Sequence, residues 1–294
     1  MEGLSFYEKV LNHLVNYYGF LFGDALYIKM RYRVIFGKSL NLKKPKSFYE
    51  KIQWLKLHDR REKYHMMADK YGVRNYVEDK VGSKYLIPLI GHWNAIEEVD
   101  EALLPEKFVI KCTHDSQSVR ICNDKDDFDF DEIKRDFSKA LTIDYSKYGR
   151  EWAYSGIVPS IIAEELLTDQ SGVELKDYKF FCFNGEPKVI QVDYNRFTGH
   201  KRRMFSPDWK QLDVKITYPD DPNVVLEKPD KLDEMLEICR KLSADMYFLR
   251  VDLYFNGEIY VGELTFYPGG GFEPIEPYEV DLEWGRLLHL PCDD

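Results

Sequence analysis

The chain has 294 residues, a net charge of −10 at pH 7 and a pI near 5.3. Proteins that bind nucleic-acid phosphates need a basic face, so we expect no nucleic-acid partner for a chain of this acidic composition. Five scattered cysteines without a C-x-x-C pair are typical of a reducing compartment, and no apolar run approaches the ~20 residues that cross a bilayer, so we expect a cytoplasmic protein.

Residues 1–68 are predicted to be helical. Apolar side chains recur there at helical spacing until Gly19 and Gly23 interrupt the pattern. The recurring residues are Leu4, Tyr7, Leu11, Leu14, Val15 and Tyr18. A second helix is predicted to begin at Ser47, because Ser47 and Glu50 have the spacing of a capping box. The basic, aromatic run 29–33 has two interpretations. It could contact an anionic membrane surface or a phosphorylated lipid carrier, or it could be a solvated helix end, and the helix end is favoured.

The middle of the chain alternates predicted strands and helices. A helix is predicted over residues 70–80 with Asp69 as its N-cap, and further helices over 130–142 and 230–244. Strands are predicted over residues 86–90, 107–112, 119–122, 160–167, 177–183 and 187–194, with a turn at 169–172. Asn184-Gly185 predicts a tight hairpin between the last two strands. The pattern predicts an α+β fold with mostly antiparallel strands.

Two segments of this region have the chemistry to bind anions. Lys111 lies near the end of a predicted strand, and the small polar residues 113–118 after it can fold over phosphates through backbone N–H groups. Taken alone, this signal favours a plain hairpin with a surface lysine. A basic run is predicted to form a loop after residue 194, either as an anion-binding site or as a solvated loop. Its residues are His200, Lys201, Arg202 and Arg203.

Residues 250–271 predict a second hairpin, with a two-residue turn at Asn256-Gly257. Side chains on a strand alternate faces, so this turn predicts a shared polar face on the two strands. The residues predicted on that face are Arg250, Asp252, Val261, Glu263 and Thr265. Two carboxylates and a hydroxyl in a cleft can hold a hard cation such as Mg²⁺, with the arginine beside it for phosphate oxygens. The alternative is an ordinary hairpin with a solvated polar face.

The order of these parts resembles the ATP-grasp superfamily and, within it, the TupA-like branch, which is associated with teichuronopeptide and other surface-polysaccharide synthesis. The sequence has neither a Walker phosphate loop nor a G-x-G-x-x-G fingerprint. The resemblance runs from about residue 45 to the end of the chain. It is carried by residues 69–74 (DKYGVR), 85–91 (YLIPLIG), 108–112 (FVIKC), 149–152 (GREW), 177–185 (DYKFFCFNG), 251–254 (VDLY) and 262–266 (GELTF).

The resemblance implies an ATP-grasp fold of two α+β lobes, the small one over residues 69–165 and the large one over 166–294, preceded by the helical segment 1–68. It implies that two lysines hold ATP phosphates under the loop 113–118, that residues 164–167 form the hinge that recognises adenine, and that two residues of the next strand contact ribose or phosphate. The residues implied for the nucleotide are Lys70, Lys111, Ser116, Ser118, Glu164, Glu165, Leu167, Asp177 and Lys179. Asp252, Glu263 and Thr265 are implied as Mg²⁺ ligands, and Arg250 as the catalytic group on the transferring phosphoryl.

The implied activity is an ATP- and Mg²⁺-dependent carboxylate–amine ligase with an acyl-phosphate intermediate, acting in cell-surface polysaccharide synthesis or modification. Its implied partners are an amino acid or other amine and a carboxylate-bearing glycan or glycan precursor, with peripheral contact to membrane-bound polysaccharide machinery at the inner face of the membrane. Position and charge alone suggest Arg150 and the run 200–203 as substrate contacts. Two departures from the family pattern are the glycine-free loop 113–118 and Thr265 in place of asparagine. A glycosyltransferase and a non-catalytic nucleotide-binding protein remain as alternatives.

Overall fold

The computed structural model describes residues 6–168, 175–196 and 198–293. Leu4 and the predicted turn at 169–172 lie outside these residues. The architecture combines α-helices with antiparallel sheets, as the α+β prediction requires. Among the described residues, none of the helices combines the length and the apolar character needed to cross a membrane.

Four helices form the N-terminal segment. They are α1 (Phe6–Tyr18), α2 (Asp24–Phe36), α3 (Phe48–His58) and α4 (Lys63–Ala68). The predicted interruption at Gly19 and Gly23 is confirmed, and so is the capping box: the Ser47 side chain accepts from the Glu50 backbone N–H while the Glu50 side chain reaches back to the cap. Helix α2 lies in the segment that was predicted to be helical, although the prediction did not give its bounds, and the basic run 29–33 lies within this helix.

A four-stranded antiparallel sheet forms the first lobe. Its strands are β1 (Leu89–Trp93), β2 (Phe108–Cys112), β3 (Val119–Cys122) and β4 (Ile161–Glu165), in the order β1-β4-β2-β3. Helix α6 (Phe130–Ala140) packs on it through Ile133 and Phe137. Strand β1 begins after Pro88 instead of at residue 86, because Pro88 lacks the N–H that a strand would use.

The helix predicted to begin at Lys70 begins three residues later, as α5 (Val73–Val81). Asp69 is therefore not its N-cap. The Asp69 carboxylate accepts a hydrogen bond from the Gly72 backbone N–H at 2.8 Å and closes the turn that precedes the helix.

A six-stranded antiparallel sheet forms the second lobe, in the order β11-β10-β5-β6-β7-β8. The strands are β5 (Asp177–Phe183), β6 (Glu186–Tyr194), β7 (Lys201–Phe205), β8 (Gln211–Leu212), β10 (Phe248–Phe255) and β11 (Ile259–Thr265), and a separate pair is formed by β9 (Lys215–Ile216) and β12 (Ile275–Glu276). The helices of this lobe are α7 (Leu232–Ser243) and α8 (Tyr278–Leu287). The predicted tight turn at Asn184-Gly185 is confirmed, with φ angles of 47° and 84°.

The N-terminal helices share one hydrophobic core with the six-stranded sheet, whereas the four-stranded sheet has its own core. Phe48 of α3 shows the connection, because its ring lies 5.0 Å from that of Phe248 on β10 and 5.7 Å from that of Trp284 on α8. Aromatic pairs at such distances add to the energy of burial. The N-terminal segment is thus packed against the large lobe through a shared hydrophobic core.

The register predicted for the 250–271 hairpin is wrong. The turn has three residues, because Phe255 pairs with Ile259, and a bulge lies between Asp252 and Leu253. Asp252 therefore faces Glu263 directly, and Arg250 faces Thr265. Val261 pairs with Leu253 on the buried face and does not join the polar face.

The run 200–203 is not the loop that the sequence predicted. Lys201, Arg202 and Arg203 belong to β7, where they pair with β6. Alternation along the strand then sends the two arginines to opposite faces of the sheet, and both are buried.

Candidate active site

Four side chains at the edge of the large sheet form what we call the polar face: Arg250 and Asp252 on β10, Glu263 and Thr265 on β11. Arg250 donates to Asp252 twice, from Nε to Oδ1 and from Nη2 to Oδ2, both at 2.7 Å. Its Nη2 also donates to Thr265 Oγ1 at 3.1 Å. Burial alone would raise the pKa of Asp252, but the charges of Arg250 and Lys179 outweigh burial and hold that pKa below its usual value.

The polar face continues onto strand β5. Lys179 Nζ donates to Asp252 Oδ2 at 2.9 Å and also to Asp177 Oδ2. Burial raises the pKa of Asp177, against the opposing charge of Lys179. The second oxygen of Asp177, Oδ1, is buried without a hydrogen-bond partner among the described residues. The structure thus brings Asp177 and Lys179 together with Arg250 and Asp252.

The polar face has the donor types that a hard cation prefers. Glu263 is the freest of them, since its carboxylate makes no hydrogen bond or ion pair within the described ranges. Asp252 already accepts hydrogen bonds from Arg250 and Lys179 at both carboxylate oxygens. Binding of Mg²⁺ by Asp252 would therefore require Arg250 to move away or to give up one of its hydrogen bonds. The described chain has no group of three or more His, Cys, Asp or Glu arranged for a metal. The further oxygen on the polar face is Thr265 Oγ1, which accepts from Arg250. Asp252, Glu263 and Thr265 fit Mg²⁺ as a set of two carboxylates and a hydroxyl.

The small lobe contributes basic side chains. Lys111 Nζ lies 2.6 Å from Glu164 Oε2, and Arg74 Nη1 lies 2.9 Å from Glu164 Oε1. Glu164 is buried, so its carboxylate is committed to holding these two cations. Sequence reasoning assigned Glu164 to adenine and missed Arg74, although Arg74 ends the motif that begins at Asp69.

Lys70 is bound to the loop 113–118 of its own lobe. Its backbone N–H donates to Thr113 O at 3.0 Å, and its Nζ donates to the carbonyl of Asp115. Burial lowers the pKa of Lys70, and the nearby charge of Glu263 opposes that shift. Lys70 is therefore close to both the loop 113–118 and the polar face.

The loop 113–118, here called the cover loop, is held from within by Asp115. The Asp115 carboxylate accepts from the backbone N–H of Ser118 at 3.0 Å and of Gln117 at 3.3 Å, and from Ser118 Oγ at 2.5 Å. These bonds give the glycine-free loop a fixed turn. They also engage the backbone amides of Gln117 and Ser118. Ser116 is exposed and hydrogen-bonds the Tyr145 hydroxyl.

A cavity of about 450 Å³ lies between the cover loop, the polar face and helix α2. Its lining includes Ser116, Gln117, Arg250, Glu263, Thr265, Arg31, Ile35, Tyr145, Glu151, Tyr154, Gly270 and Phe272. Cavities of this size accommodate small-molecule ligands. The lining thus combines predicted site residues with side chains from α2 and from the 145–154 connection.

Sequence reasoning missed a buried pair of charges beside this cavity, Lys56 and Glu151. Lys56 Nζ donates to Gly149 O at 2.7 Å and to the carbonyl of Gly270. Burial lowers the pKa of Lys56 to about 7 and raises that of Glu151 to about 7. The GREW motif at 149–152 was the signal that could have identified Glu151, but the sequence analysis selected Arg150 from this motif as a substrate contact.

Arg150 does not line this cavity. Its Nη2 donates to Gly19 O at 2.7 Å and to Phe22 O at 3.2 Å, and its guanidinium faces the ring of Tyr27. It therefore holds the N-terminal helices.

The predicted basic contacts at 200–203 also lie elsewhere. Arg202 Nε donates to Asp193 at 2.7 Å, and Arg203 Nε donates to Asp220 at 2.8 Å. His200 Nε2 lies 3.4 Å from Asp193, and Lys201 is half-buried on β7. The contacts with Asp193 and Asp220 thus engage three of the four side chains that the sequence proposed for a substrate, His200, Arg202 and Arg203.

Comparison with known proteins gives one family. The family model described as TupA-like ATPgrasp matches residues 50–289. A search of curated proteins found no match.

Solved structures that resemble the chain include three ligase-type enzymes. The ATP-grasp ligase PsnB, in complex with a phosphomimetic variant of its minimal precursor, Mg and ADP, is 14% identical over 73% of this chain and 56% of its own, with a TM-score of 0.41. The D-alanine–D-alanine ligase of Bacillus anthracis, complexed with ATP, is 15% identical over 68% and 55%, with a TM-score of 0.39. The biotin carboxylase domain of the Hydrogenobacter thermophilus 2-oxoglutarate carboxylase, with MgADP, ADP and bicarbonate, is 14% identical over 68% and 40%, with a TM-score of 0.38. The chain spans about half the length of these solved structures.

Proposed function

The chain belongs to the TupA-like ATP-grasp family, and on that premise we propose that it is an ATP- and Mg²⁺-dependent carboxylate–amine ligase. One observation supports this most directly: a single cavity is bounded by the cover loop and by the polar face with Arg250, Glu263 and Thr265. Phosphoryl transfer depends on positioning and on charge stabilisation more than on covalent participation of the protein. The cations and carboxylates near this cavity support the proposal.

Asp252, Glu263 and Thr265 would hold Mg²⁺, which would supply positive charge to offset the charge of the ATP phosphates. Lys70 and Lys111 would hold the ATP phosphates, because both are cations near the cover loop. Arg250 is permanently charged and would stabilise the phosphoryl group during its transfer to a substrate carboxylate. Glu165 and Leu167 would offer backbone groups to adenine at the hinge. Domain limits at residues 69–165 and 166–294 belong to this proposal.

The biological setting is also part of the proposal. By family association, the carboxylate would belong to a cell-surface glycan or its precursor, and the protein would act in the cytoplasm beside membrane-bound polysaccharide machinery. A non-catalytic nucleotide-binding protein is the second candidate, because Asp115 engages the amides of Gln117 and Ser118 that a catalytic cover loop would offer to phosphate.

The proposal is tested by product analysis with purified protein, MgATP, a panel of uronic acids and a panel of amino acids. A ligase forms ADP and phosphate in equal amounts, and only when a carboxylate and an amine are both present. The double variant Asp252→Asn, Glu263→Gln should lose this activity. Lys111→Ala should weaken nucleotide binding by about 10- to 100-fold, whereas Lys107→Ala, an exposed lysine just before β2, should not.

Release of a nucleoside diphosphate from a sugar nucleotide, without consumption of ATP, would replace the ligase by a glycosyltransferase. Nucleotide binding without turnover on any panel would favour the non-catalytic candidate. Unchanged turnover in the double variant would exclude the metal-centred mechanism.

A further inference from the structure

Two side chains of opposite charge line the cavity without a hydrogen bond or an ion pair to any described residue. Arg31 comes from α2, and Glu151 comes from the connection before β4. Within the described ranges, neither side chain makes a hydrogen bond or an ion pair, and Arg31 Nε is buried without a partner. Glu151 is 9% exposed. Buried charges are normally paired, so a buried carboxylate and a half-buried guanidinium without polar partners at one cavity need an explanation.

Their neighbours do not supply the missing partners. Lys56, the cation nearest in its effect on Glu151, donates to the carbonyls of Gly149 and Gly270 and forms no ion pair with the carboxylate. The Arg31 guanidinium lies over the ring of Phe272, with Cζ 5.3 Å from its centroid. This contact leaves the N–H groups of the guanidinium plane without acceptors.

We propose that Arg31 and Glu151 bind a free α-amino acid, which is the amine-donating substrate of the ligase proposed above. Arg31 would hold the α-carboxylate through its paired N–H donors, and Glu151 would hold the α-ammonium group. An α-amino acid carries these two opposite charges on two groups that are bonded to the same carbon atom. This inference rests on the proposed function for the chemistry that follows binding, but not for the binding itself.

The lining of the cavity favours a carboxylate over a phosphate at Arg31. Glu151 and Glu263 both face the cavity, and two carboxylates would repel a dianion more strongly than a monoanion. A carboxylate also matches the planar, bidentate geometry of a guanidinium. The volume of about 450 Å³ exceeds that of one amino acid and leaves room for part of the second substrate beside the polar face.

Arg31 lies outside the part of the chain that matches the family, residues 50–289. The N-terminal segment thus contributes a charge to a cavity whose other functional groups lie within the family region. On this proposal, helix α2 determines which amine-bearing substrate the ligase accepts.

The test is isothermal titration of the whole protein with each of the twenty L-amino acids, with and without Mg²⁺ and a non-hydrolysable ATP analogue. We expect at least one amino acid to bind. Its α-amide and its N-acetyl derivative should each bind about 10- to 100-fold more weakly, because each lacks one of the two charges. Arg31→Leu should weaken binding of the amino acid to the same extent and leave binding of the amide unchanged. Lys29→Gln, an exposed lysine on the same helix, is the matched control and should bind as the wild type does.

Arg31→Lys keeps the positive charge but lacks the paired N–H donors, so its affinity for the amino acid should fall several-fold. This variant replaces Arg31→Leu in the test if Arg31→Leu does not fold. The proposal is overturned if no amino acid binds, if the amide binds as well as the acid, or if both Arg31 variants bind as the wild type does. A separate measurement of nucleotide binding distinguishes failure of the amino-acid site from failure of the ligase proposal. A protein that binds nucleotide but no amino acid loses only the Arg31–Glu151 site. A protein that binds amino acids but no nucleotide keeps the Arg31–Glu151 site and loses the ligase.

Discussion

Lys56 and Glu151 are single residues whose burial has a measurable effect on stability. Both lie in a low-dielectric environment, which favours the neutral form of each group. In the unfolded chain Glu151 releases its proton near its ordinary pKa of 4.5, but in the folded protein it does so near 7. The folded state thus binds more protons than the unfolded state between these values. The resulting stabilisation is present at low pH and is lost as pH rises from about 4.5 to about 7.

We therefore predict that Glu151→Gln changes the pH dependence of unfolding. Relative to this variant, the wild type should lose up to about 3 kcal/mol of stability between pH 4.5 and pH 7, because each unit of pKa shift corresponds to about 1.4 kcal/mol. Denaturant unfolding of both proteins at several pH values measures the difference. Glu106→Gln, which changes an exposed carboxylate, is the control. A wild-type-minus-variant difference that stays constant with pH would contradict the burial of a charged Glu151.

At this scale, sequence reasoning recovered groups that lie close together along one strand or one hairpin. Alternation with period two was sufficient to group Arg250, Asp252, Glu263 and Thr265 on one face. Arg31, Lys56 and Glu151 were not recoverable in this way. They come from three distant segments, and only the packing of α2, α3 and the 145–154 connection brings Arg31 and Glu151 to one cavity and Lys56 beside it.

Among the elements, the β10–β11 hairpin shows how a local irregularity sets the geometry of the site. The bulge next to Asp252 and the three-residue turn shift the register by two residues, and this shift places Asp252 directly opposite Glu263. The turn dipeptide Asn256-Gly257 indicated where the chain reverses but not how many residues the turn contains. Gly262 marks the bulge, because a Cβ there would lie 2.6 Å from Tyr254 Cε2.

We predict that Gly262→Ala destabilises the protein by about 1–3 kcal/mol, since the ring of Tyr254 must move to admit the new methyl group. The displacement should also move Glu263 and weaken the effect of Mg²⁺ on thermal stability in the presence of ADP. Differential scanning calorimetry with and without MgADP measures both effects. Gly23→Ala, at a position where a Cβ meets nothing within 4 Å, should leave both unchanged. A Gly262→Ala protein with wild-type stability would show that the bulge does not depend on glycine.

For the whole molecule, the main finding is that the N-terminal helices are part of the large lobe's core. The sequence predicted their helical character and one cap, but not where they pack, because an amphipathic pattern identifies a buried face without identifying its partner. Arg150, in the segment 145–154, ties these helices to that segment by donating hydrogen bonds to the carbonyls of Gly19 and Phe22. Its role in the structure is thus to hold the N-terminal segment next to the cavity.

Arg150→Gln should loosen this connection. The tip between α1 and α2 exposes Phe20 and Leu21, which chymotrypsin can cleave once the segment opens. We predict a roughly 3- to 10-fold faster cleavage there, which corresponds to about 1 kcal/mol of lost contacts, with nucleotide affinity unchanged. Limited proteolysis followed by mass spectrometry measures the rate, with Lys139→Gln at an exposed site as the control. Unchanged cleavage together with a raised KM for a substrate would return Arg150 to the substrate role that the sequence suggested.

The three consecutive glycines at 269–271 all have left-handed backbone angles, with φ of 56°, 60° and 69°. A Cβ at Gly269 would lie 2.2 Å from Glu273, and one at Gly271 would lie 2.5 Å from Gln53. This wall of the cavity therefore tolerates no side chain, and mutation there cannot reshape the space for a different substrate. Efforts to alter selectivity should concentrate on α2 and the 145–154 connection, where the cavity is lined by side chains that can be exchanged.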